Sequence, residues 1–512
     1  MKRELLFVFV AALALYLPSA EYAFVQDDRA IIGSNPAAHS IPAALAAFDE
    51  PYWPRGSGAG LYRPLTILSY AIDWTVSDGN PGWFHVMNAL WHGVATVLLT
   101  VILMRWLPTL AAVGAGLLFA WHPVHVEAVA SLVGRAELLA AVGIFGAVLA
   151  ARRGQWAVSV LCAGAAMLSK EHGVIAPVVI LFDNWLQGDG ATRRLPIEFL
   201  AVLGLTTAAF VVAWLTIGVA GAHDVAVVFF GRSTLGRLAV ALPAVARAAE
   251  LLVWPISLSS DYSPQVIAAY EGFSAVAALG IVIAIGLPAL IVWSHRRAPA
   301  IAFTAALAGL SYLPTANLLF PSGIVLAERN LYLAVALPAA LVGAGFAWLS
   351  AQRGFRPAVA VLAAVAVAYG TRSLLRLPAW RDNRAQLLTL LIEHPESYLG
   401  HASAAAVLAG RHDTADARRE YHMADSLYAG DPYLNAAHAI FLIGIGDTEP
   451  ARSLIARARS SERGERGTWR AQFLLSLARH DRTAAAALLD SVRQRNSEDT
   501  TWYLMHFHRF ER

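Results

Sequence analysis

Apolar runs long enough to cross a bilayer recur along most of this 512-residue chain. A membrane-spanning helix needs about 20 predominantly apolar residues. Hydrophobic residues make up 57% of the chain, charged residues 15%, and the mean hydropathy is +0.53, whereas soluble domains usually contain about a quarter charged residues. We therefore predict an all-α, polytopic membrane protein with about eleven spans. The candidate spans lie near 5–22, 84–104, 108–122, 136–151, 155–169, 173–187, 197–218, 274–294, 299–319, 330–350 and 357–377.

Basic residues flank these spans at every second boundary, as the positive-inside rule predicts for cytoplasmic loops. The alternation places the N-terminus in the cytoplasm and the C-terminus on the outer side of the membrane. The apolar stretch 238–256 would break the alternation if it crossed, so we interpret it as a helix packed at the outer surface. The basic residues are Lys2 and Arg3, Arg105, Arg152 and Arg153, Arg193 and Arg194, Arg296 and Arg297, and Arg353 and Arg356.

The net charge and the cysteine content exclude some kinds of binding partner and metal site. The net charge of +3 gives no broad basic surface, so nucleic acid is not a predicted partner. The lone Cys162 excludes an internal disulfide and a cysteine metal site, and we predict a packing role for it. The first segment ends in small residues, as a cleaved signal peptide does. We interpret it instead as a retained span, because the residues that follow it form part of the functional unit.

The chain after about residue 380 has more charge and shorter apolar runs. Three sets of residues, one acidic, one small and one larger and apolar, repeat there every 34 positions. They are Asp413, Asp447 and Asp481; Ala417, Ala451 and Ala485; and Tyr421, Ile455 and Leu489. This period is typical of tetratricopeptide repeats. We predict a membrane domain at 1–380 and extracytoplasmic repeats at 381–512, which either offer a concave face to an extended polypeptide or form a plain helical cap.

Polar residues concentrate in the predicted outer loops, where a membrane enzyme would hold its chemistry. The candidate site residues are Asp27, Asp28, Arg63, His122, His125, Glu127, Arg135, Lys170 and Arg329. Lys170 is one of only two lysines in the chain and stands beside Glu171 between two apolar runs. A lysine in that position is either a paired structural ion or a phosphate ligand.

The acidic and histidine pairs also allow two interpretations each. Asp27 and Asp28 are adjacent, so they form either a catalytic carboxylate pair or a solvated turn that caps a helix. His122 and His125 stand three residues apart, so with Asp27 they are candidate ligands of a divalent cation, or they anchor a helix end at the membrane surface. A divalent cation is therefore a possible cofactor, and the patterns indicate no other.

Together the outer residues indicate one chemistry. A carboxylate can act as general base toward an acceptor hydroxyl, and arginine or lysine can hold the phosphate of a lipid-borne leaving group. Sugar transfer from a polyprenyl phosphate requires both. A soluble sugar nucleotide would instead require a cytoplasmic domain, and the predicted inner loops are too short to form one.

The sequence resembles the transmembrane and tetratricopeptide-repeat O-mannosyltransferases, members of the GT-C class of glycosyltransferases that use lipid-phosphate sugars. The most specific match is HPVHVEAVASLVGRAELLA from His122. The repeat tract is shorter than in the animal members. The other matching segments are FVQDDRAIIGSNP from Phe24, LYRPLTILSYAIDW from Leu61, NPGWFHVMNALWH from Asn80, LSKEHGV from Leu168, LSSDYS from Leu258 and AERNLYL from Ala327.

The resemblance implies a GT-C-like fold and transfer of mannose to a Ser or Thr hydroxyl of an extracytoplasmic protein. It implies a catalytic role for the acidic pair, in which we expect Asp28 to be the base and Asp27 to orient the acceptor or bind a cation. Glu127 is a further acidic candidate. We expect inversion at the sugar, because no separate carboxylate is placed as a nucleophile. Arg135, Lys170, Arg329 and Arg63 are the candidates for the donor phosphate.

Two other function classes compete with this interpretation. A transporter or flippase would hold ionisable residues near the bilayer midplane, and only the stripe of His85, Asn88 and His92 matches that expectation. A scaffold would use the repeats to recruit partners, but eleven spans are far more than an anchor needs. A membrane glycosyltransferase, in a bacterial inner membrane with periplasmic repeats, is therefore the predicted function.

Overall fold

The computed structural model describes residues 2–54, 60–188, 195–218, 225–268, 272–461, 468–494 and 500–511. Helices are the regular elements of these residues, and no strand occurs among them, which confirms the predicted all-α class. The basic residues Arg193 and Arg194 lie outside the described residues.

Among the described residues, fifteen α-helices precede the tail, numbered in chain order. They are α1 (Lys2–Tyr16), α2 (Ile41–Ala46), α3 (Pro64–Ser77), α4 (Pro81–Leu103), α5 (Thr109–Trp121), α6 (His125–Ala130), α7 (Arg135–Arg152), α8 (Trp156–Ser169), α9 (Ala176–Leu186), α10 (Ile197–Ala213), α11 (Thr234–Val253), α12 (Ala275–Ser294), α13 (Pro299–Tyr312), α14 (Ala336–Arg353) and α15 (Phe355–Arg376).

Seven helical segments of the described chain are long and apolar enough to cross a membrane. They are Lys2–Glu21, Pro81–Leu103, Leu132–Arg152, Ile197–Gly218, Ala275–Ser294, Leu333–Arg353 and Phe355–Trp380. The shorter helices α5, α8 and α13 are also apolar, and α9 occupies the remaining predicted segment. Each predicted span therefore contains a helix, and the number that cross the bilayer remains a prediction.

Helix α7 forms the centre of the bundle. Of the seven long helices its span is the most enclosed, 83% of it being buried, and it packs against α4, α8 and α9. Small residues permit this close approach: a side chain at Gly143 would collide with the backbone of Cys162 on α8. Cys162 is a free, half-buried cysteine packed against the apolar core, as its apolar surroundings predict.

Helix α11 occupies the stretch predicted to lie at the outer surface. It carries Arg237, Arg247 and Glu250, and it is not among the seven long apolar helices. It packs closely on α12, where Gly280 lies directly against the backbone of Leu242. The helix is thus present, while its position relative to the membrane remains a prediction.

The loops between the long helices gather at two opposite ends of the bundle. At one end the Arg152 guanidinium donates to Asp183 at 2.6 Å and to the Ile102 carbonyl at 3.0 Å. At the other end Arg63 pairs with Glu171, and Arg329 pairs with Glu127. This division agrees with the alternation of the basic residues, and which end faces the cytoplasm remains a prediction.

The tail consists of helices that pair in sequence. They are α16 (Asn383–Glu393), α17 (Tyr398–Gly410), α18 (Thr414–Leu427), α19 (Pro432–Gly444), α20 (Thr448–Arg459), α21 (Trp469–Ala478), α22 (Arg482–Gln494) and α23 (Thr500–Glu511). Asp413, Asp447 and Asp481 directly precede α18, α20 and α22. Ala417, Ala451 and Ala485 are fully buried where these helices meet their partners. The 34-residue period therefore corresponds to a repeated pair of helices.

Candidate active site

The candidate site forms where five separate loops meet at one end of the bundle. Asp28 of the first loop contacts the turn before α7, and Arg63 at the start of α3 contacts Glu171 after α8. Lys170 reaches Asn330 at 3.3 Å, and Glu127 of α6 contacts Arg329. Residues separated by up to 202 positions are thus joined by charged contacts. The structure therefore brings most of the predicted site residues together.

Asp28 is completely buried and has both carboxylate oxygens occupied. Its Oδ2 accepts a hydrogen bond from Val25 N at 3.0 Å, and its Oδ1 accepts one from Val133 N at 2.9 Å. Burial raises the pKa of this carboxyl to about 7, although the backbone donors oppose the shift. A carboxylate enclosed in this way ties the first loop to the α7 turn, and it is poorly placed to meet an acceptor hydroxyl.

Asp27 has the opposite environment. Its side chain is only partly buried, and among the described residues its carboxylate accepts no hydrogen bond. Asp27 lies close enough to Arg329 to affect its charge. Burial would lower the pKa of the Arg329 guanidinium, but the carboxylates of Glu127 and Asp27 outweigh burial and raise that pKa. Of the acidic pair, Asp27 is the member that a substrate can reach.

Arg329 is the most accessible of the predicted phosphate ligands. Its backbone N–H donates to Glu127 Oε2 at 2.9 Å and its guanidinium donates to Oε1 at 2.6 Å. Glu127 is buried, whereas 28% of the Arg329 side chain is exposed. Both carboxylate oxygens of Glu127 thus hold the arginine in place, and among the described residues the other guanidinium N–H groups stay available to an anion.

Arg63 is held in a similar way on the neighbouring loop. Its Nε and Nη2 donate to the two carboxylate oxygens of Glu171 at 3.1 and 2.8 Å, and its guanidinium lies 4.9 Å from the ring centre of Tyr52. Burial alone would raise the pKa of Glu171, but Arg63 outweighs burial and keeps it below its ordinary value. The pair is therefore ionised and fixed.

Lys170 forms a buried ion pair with Glu137, the third residue of α7. His172 also lies 3.5 Å from the other carboxylate oxygen of Glu137. Of the two interpretations of this lysine, the contacts favour the paired ion, because Glu137 and Asn330 already receive its hydrogen bonds. Burial and the nearby charges of Arg63 and Arg329 lower the pKa of Lys170 well below its ordinary value, in opposition to the pairing with Glu137.

The contacts of Arg135 favour a structural role over the predicted role of phosphate ligand. The side chain is fully buried and pairs with Asp73 of α3. Its other N–H groups donate to Asn88 Oδ1 at 2.7 Å and to the carbonyls of Phe84 and Ser69. Because protein groups receive all of these hydrogen bonds, Arg135 joins α3, α4 and α7 beneath the site.

His122 and His125 do not form a metal site in this arrangement. His122 Nε2 lies 3.1 Å from the Leu252 carbonyl, and its Nδ1 accepts from Val124 N, which leaves no lone pair for a metal. His125 Nε2 lies 3.0 Å from the Tyr332 carbonyl. Across the described ranges no group of three or more His, Cys, Asp or Glu side chains is arranged to hold a metal ion. The observed contacts instead match the interpretation of helix anchors.

The polar stripe of α4 is used for packing. Asn88 accepts from Arg135, as described, and donates to the Val129 carbonyl at 3.2 Å. His92 bridges the Tyr332 hydroxyl at 2.8 Å and the Ala120 carbonyl at 3.0 Å. His85 is buried against Tyr22. These contacts favour a structural stripe over a transport pathway.

Two contributors to the site were missed by sequence reasoning. Asp73 is the counter-ion of Arg135, and its signal was a lone carboxylate in an otherwise apolar helix. Asn383, at the start of the tail, is uncharged. Its side chain accepts a hydrogen bond from Gln26 N in the first loop. No spacing rule connects residues 357 positions apart.

Comparison with known proteins finds relatives of the kind that the sequence motifs resemble. The chain is 26% identical over 79% of its length to protein O-mannosyl-transferase Tmtc1 of Drosophila melanogaster, covering 59% of that protein. It is 28% identical over 65% of its length to F38B6.6 of Caenorhabditis elegans and 27% identical over 64% to TMTC3 of Mus musculus, which are also named protein O-mannosyl-transferases.

The chain spans 49% and 40% of these two relatives, so it covers about half the length of the relatives it matches. No family model and no solved structure matches it. The predicted resemblance to the transmembrane and tetratricopeptide-repeat O-mannosyltransferases is confirmed.

Proposed function

We propose that this protein is a membrane glycosyltransferase that moves mannose from a polyprenyl-phosphate donor to a Ser or Thr hydroxyl of an extracytoplasmic protein. The observation that carries the proposal is an accessible carboxylate, Asp27, close enough to the partly exposed guanidinium of Arg329 to help raise its pKa, at one end of a membrane bundle. The printed names of the relatives support mannose and a protein acceptor.

The base in this proposal is Asp27 rather than Asp28, a change from the expectation based on sequence. Asp27 accepts the proton of the acceptor hydroxyl while the hydroxyl oxygen bonds to C1 of the sugar. The bond from C1 to the phosphate oxygen breaks, and its electron pair leaves with the polyprenyl phosphate. Asp28 keeps the loop in place through Val25 N and Val133 N. A single displacement of this kind inverts the anomeric centre.

The leaving phosphate is stabilised by the cationic residues of the site. Arg329 is the direct ligand, because Glu127 orients it and part of its guanidinium stays exposed. Arg63 contributes positive charge from its fixed ion pair with Glu171, and Lys170 lies beside it in contact with Glu137. Charges fixed before the reaction stabilise a developing anion without reorganisation. Within the described residues no group of His, Cys, Asp or Glu side chains fits a divalent cation, so no step is assigned to one.

The location of the reaction follows from the predicted topology. The positive-inside rule places the site and the tail on the outer side of the membrane, which is the periplasmic side if the host is bacterial. Paired helices of the tail offer a surface on which an acceptor polypeptide would lie. We propose that the tail presents the acceptor, while the donor lipid remains in the bilayer.

Purified protein in lipid nanodiscs tests the proposal. Polyprenyl-phosphate mannose and a Ser/Thr-rich protein acceptor are the substrates, and mass spectrometry measures the transferred hexose. Asp27→Asn should lower the transfer rate by on the order of 100-fold or more, with the anomer of the product opposite to that of the donor.

Asp28→Asn is the matched control for this experiment, since it makes the same substitution at the neighbouring residue. It should retain more transfer than Asp27→Asn, once the fraction of folded protein is normalised. Full transfer by Asp27→Asn, or a greater loss in the folded Asp28→Asn protein, would return the base to Asp28. Transport of intact donor lipid without transfer would support a flippase instead.

A further inference from the structure

The first helix of the tail, α16, lies against the loop that carries the acidic pair. Gln26 N donates a hydrogen bond to Asn383 Oδ1 at 2.8 Å. Three residues earlier, Ala23 N donates to the Arg381 carbonyl at 3.0 Å. The start of the tail therefore contacts the loop on the N-terminal side of Asp27.

Helix α16 is also fastened to a second loop of the membrane domain. Gln386 Nε2 donates to Ser260 Oγ at 2.5 Å, and the Ser397 hydroxyl donates to Asp261 Oδ2 at 2.5 Å. His394 Nε2 lies 3.2 Å from the Leu258 carbonyl. Gln386, His394 and Ser397 are all buried. Because α16 is attached at both of its ends, it is a fixed support for the first loop.

The backbone at Gln26 requires such a support. Its φ of +48° lies in the left-handed region, which is unfavourable for residues other than glycine. This conformation sets the direction of the next residue, Asp27. On the other side of Asp27, Asp28 is fixed through Val25 N and Val133 N. Asp27 thus stands between two anchored residues, one of them held by Asn383.

We propose that Asn383 is a positioning residue: its side-chain oxygen holds the Gln26 turn so that Asp27 faces the acceptor beside Arg329. This inference rests on the proposed function, because it assigns an orientation to the proposed base. It also means that α16 serves the membrane domain, although the sequence places the domain boundary at 381.

The test uses the full chain in nanodiscs with three variants. Asn383→Leu removes the acceptor oxygen at similar volume, Asn383→Asp keeps an oxygen in the same place, and Arg384→Ala changes an exposed neighbour. Mannose transfer from polyprenyl-phosphate mannose gives kcat and the donor KM. Hydrogen exchange reports the protection of the amides in residues 22–30.

Asn383→Leu should lower kcat about tenfold, because a small displacement of a reacting group is costly, with the donor KM unchanged. It should also speed exchange in residues 22–30 while α7 stays protected. Asn383→Asp and Arg384→Ala should resemble the natural protein in both measurements. If Asn383→Leu does not fold, Asn383→Ala replaces it with a smaller change.

Three outcomes would overturn the proposal: unchanged kcat in the Leu variant, unchanged exchange in residues 22–30, or an equal loss of kcat in Asn383→Asp. Failure of the proposed function is recognised separately. In that case the natural protein transfers no mannose, whereas the exchange experiment still reveals whether Asn383 holds the turn.

Discussion

The membrane domain and the tail use charged residues in opposite ways. In the membrane domain, Arg135 and Lys170 are buried and each is paired with a carboxylate on another helix. In the tail, Arg418 and Asp447 form an ion pair whose side chains are 41% and 42% exposed. Buried ion pairs are costly to break on one side, whereas exposed pairs contribute little. The contribution of an ion pair to the stability of this protein therefore depends on whether the pair is buried or exposed.

The largest effect should come from Arg135 in the membrane domain. Arg135→Met leaves Asp73 buried without its partner, so we expect a loss of about 3–5 kcal/mol in the free energy of unfolding. Denaturant unfolding in detergent measures this loss. The double variant Arg135→Met with Asp73→Leu removes both charges and should recover most of the stability. A stable Arg135→Met protein that only loses donor binding would instead restore Arg135 as a phosphate ligand.

A smaller effect should appear in the pH dependence of stability. Burial raises the pKa of Asp28 to about 7 from an ordinary value of 3.8. The folded state therefore holds the Asp28 proton more tightly than the unfolded chain does. The resulting contribution to the free energy of unfolding is fully present below about pH 4 and is lost as the pH rises through about 7. The slope is at most about 1.4 kcal/mol per pH unit.

The thermal unfolding of the natural protein and of Asp28→Asn, compared between pH 5 and pH 8, isolates this contribution. The natural protein should lose more stability over that range, because only it carries the titrating carboxyl. Parallel curves for the two proteins would mean that Asp28 is ionised throughout the range.

The smallest effect should come from the tail. Arg418→Ala removes the exposed pair with Asp447, and we expect a loss of less than about 1 kcal/mol. Ile455→Ala, on helix α20 of the same repeat tract, is the positive control, since it empties a buried position and should cost about 2–5 kcal/mol. If Arg418→Ala lowers the free energy of unfolding as much as the control does, exposed ion pairs stabilise this protein as strongly as buried groups do, and the contrast between the two regions is wrong.

The same contrast explains how much could be predicted from the sequence. Helix positions followed from local features: apolar runs for the spans, and the 34-residue period for the pairs that Asp413 and Asp481 begin. The identity of the charged residues near the site also followed from their loops. Their roles did not, because a role depends on partners far along the chain. Arg135 and Asp73 are 62 positions apart, and neither shows its partner in the sequence.

The choice between Asp27 and Asp28 shows the same limit. The sequence does not distinguish between two adjacent aspartates. The fold of the turn that carries them determines which carboxylate is buried. That turn depends on Val133 and on Asn383, which follow Asp28 by 105 and Gln26 by 357 positions. A local pattern cannot contain this information.

The long separation between Gln26 and Asn383 has a consequence for biosynthesis. The ribosome makes the first loop early and completes Asn383 only after α15 has been synthesised. The acidic turn therefore lacks its final hydrogen bond through almost the whole of membrane insertion. A chain arrested before its last long helix would carry every charged residue of the site and still leave the turn unsupported. The turn can therefore gain this hydrogen bond only after the last long helix of the membrane domain has been synthesised.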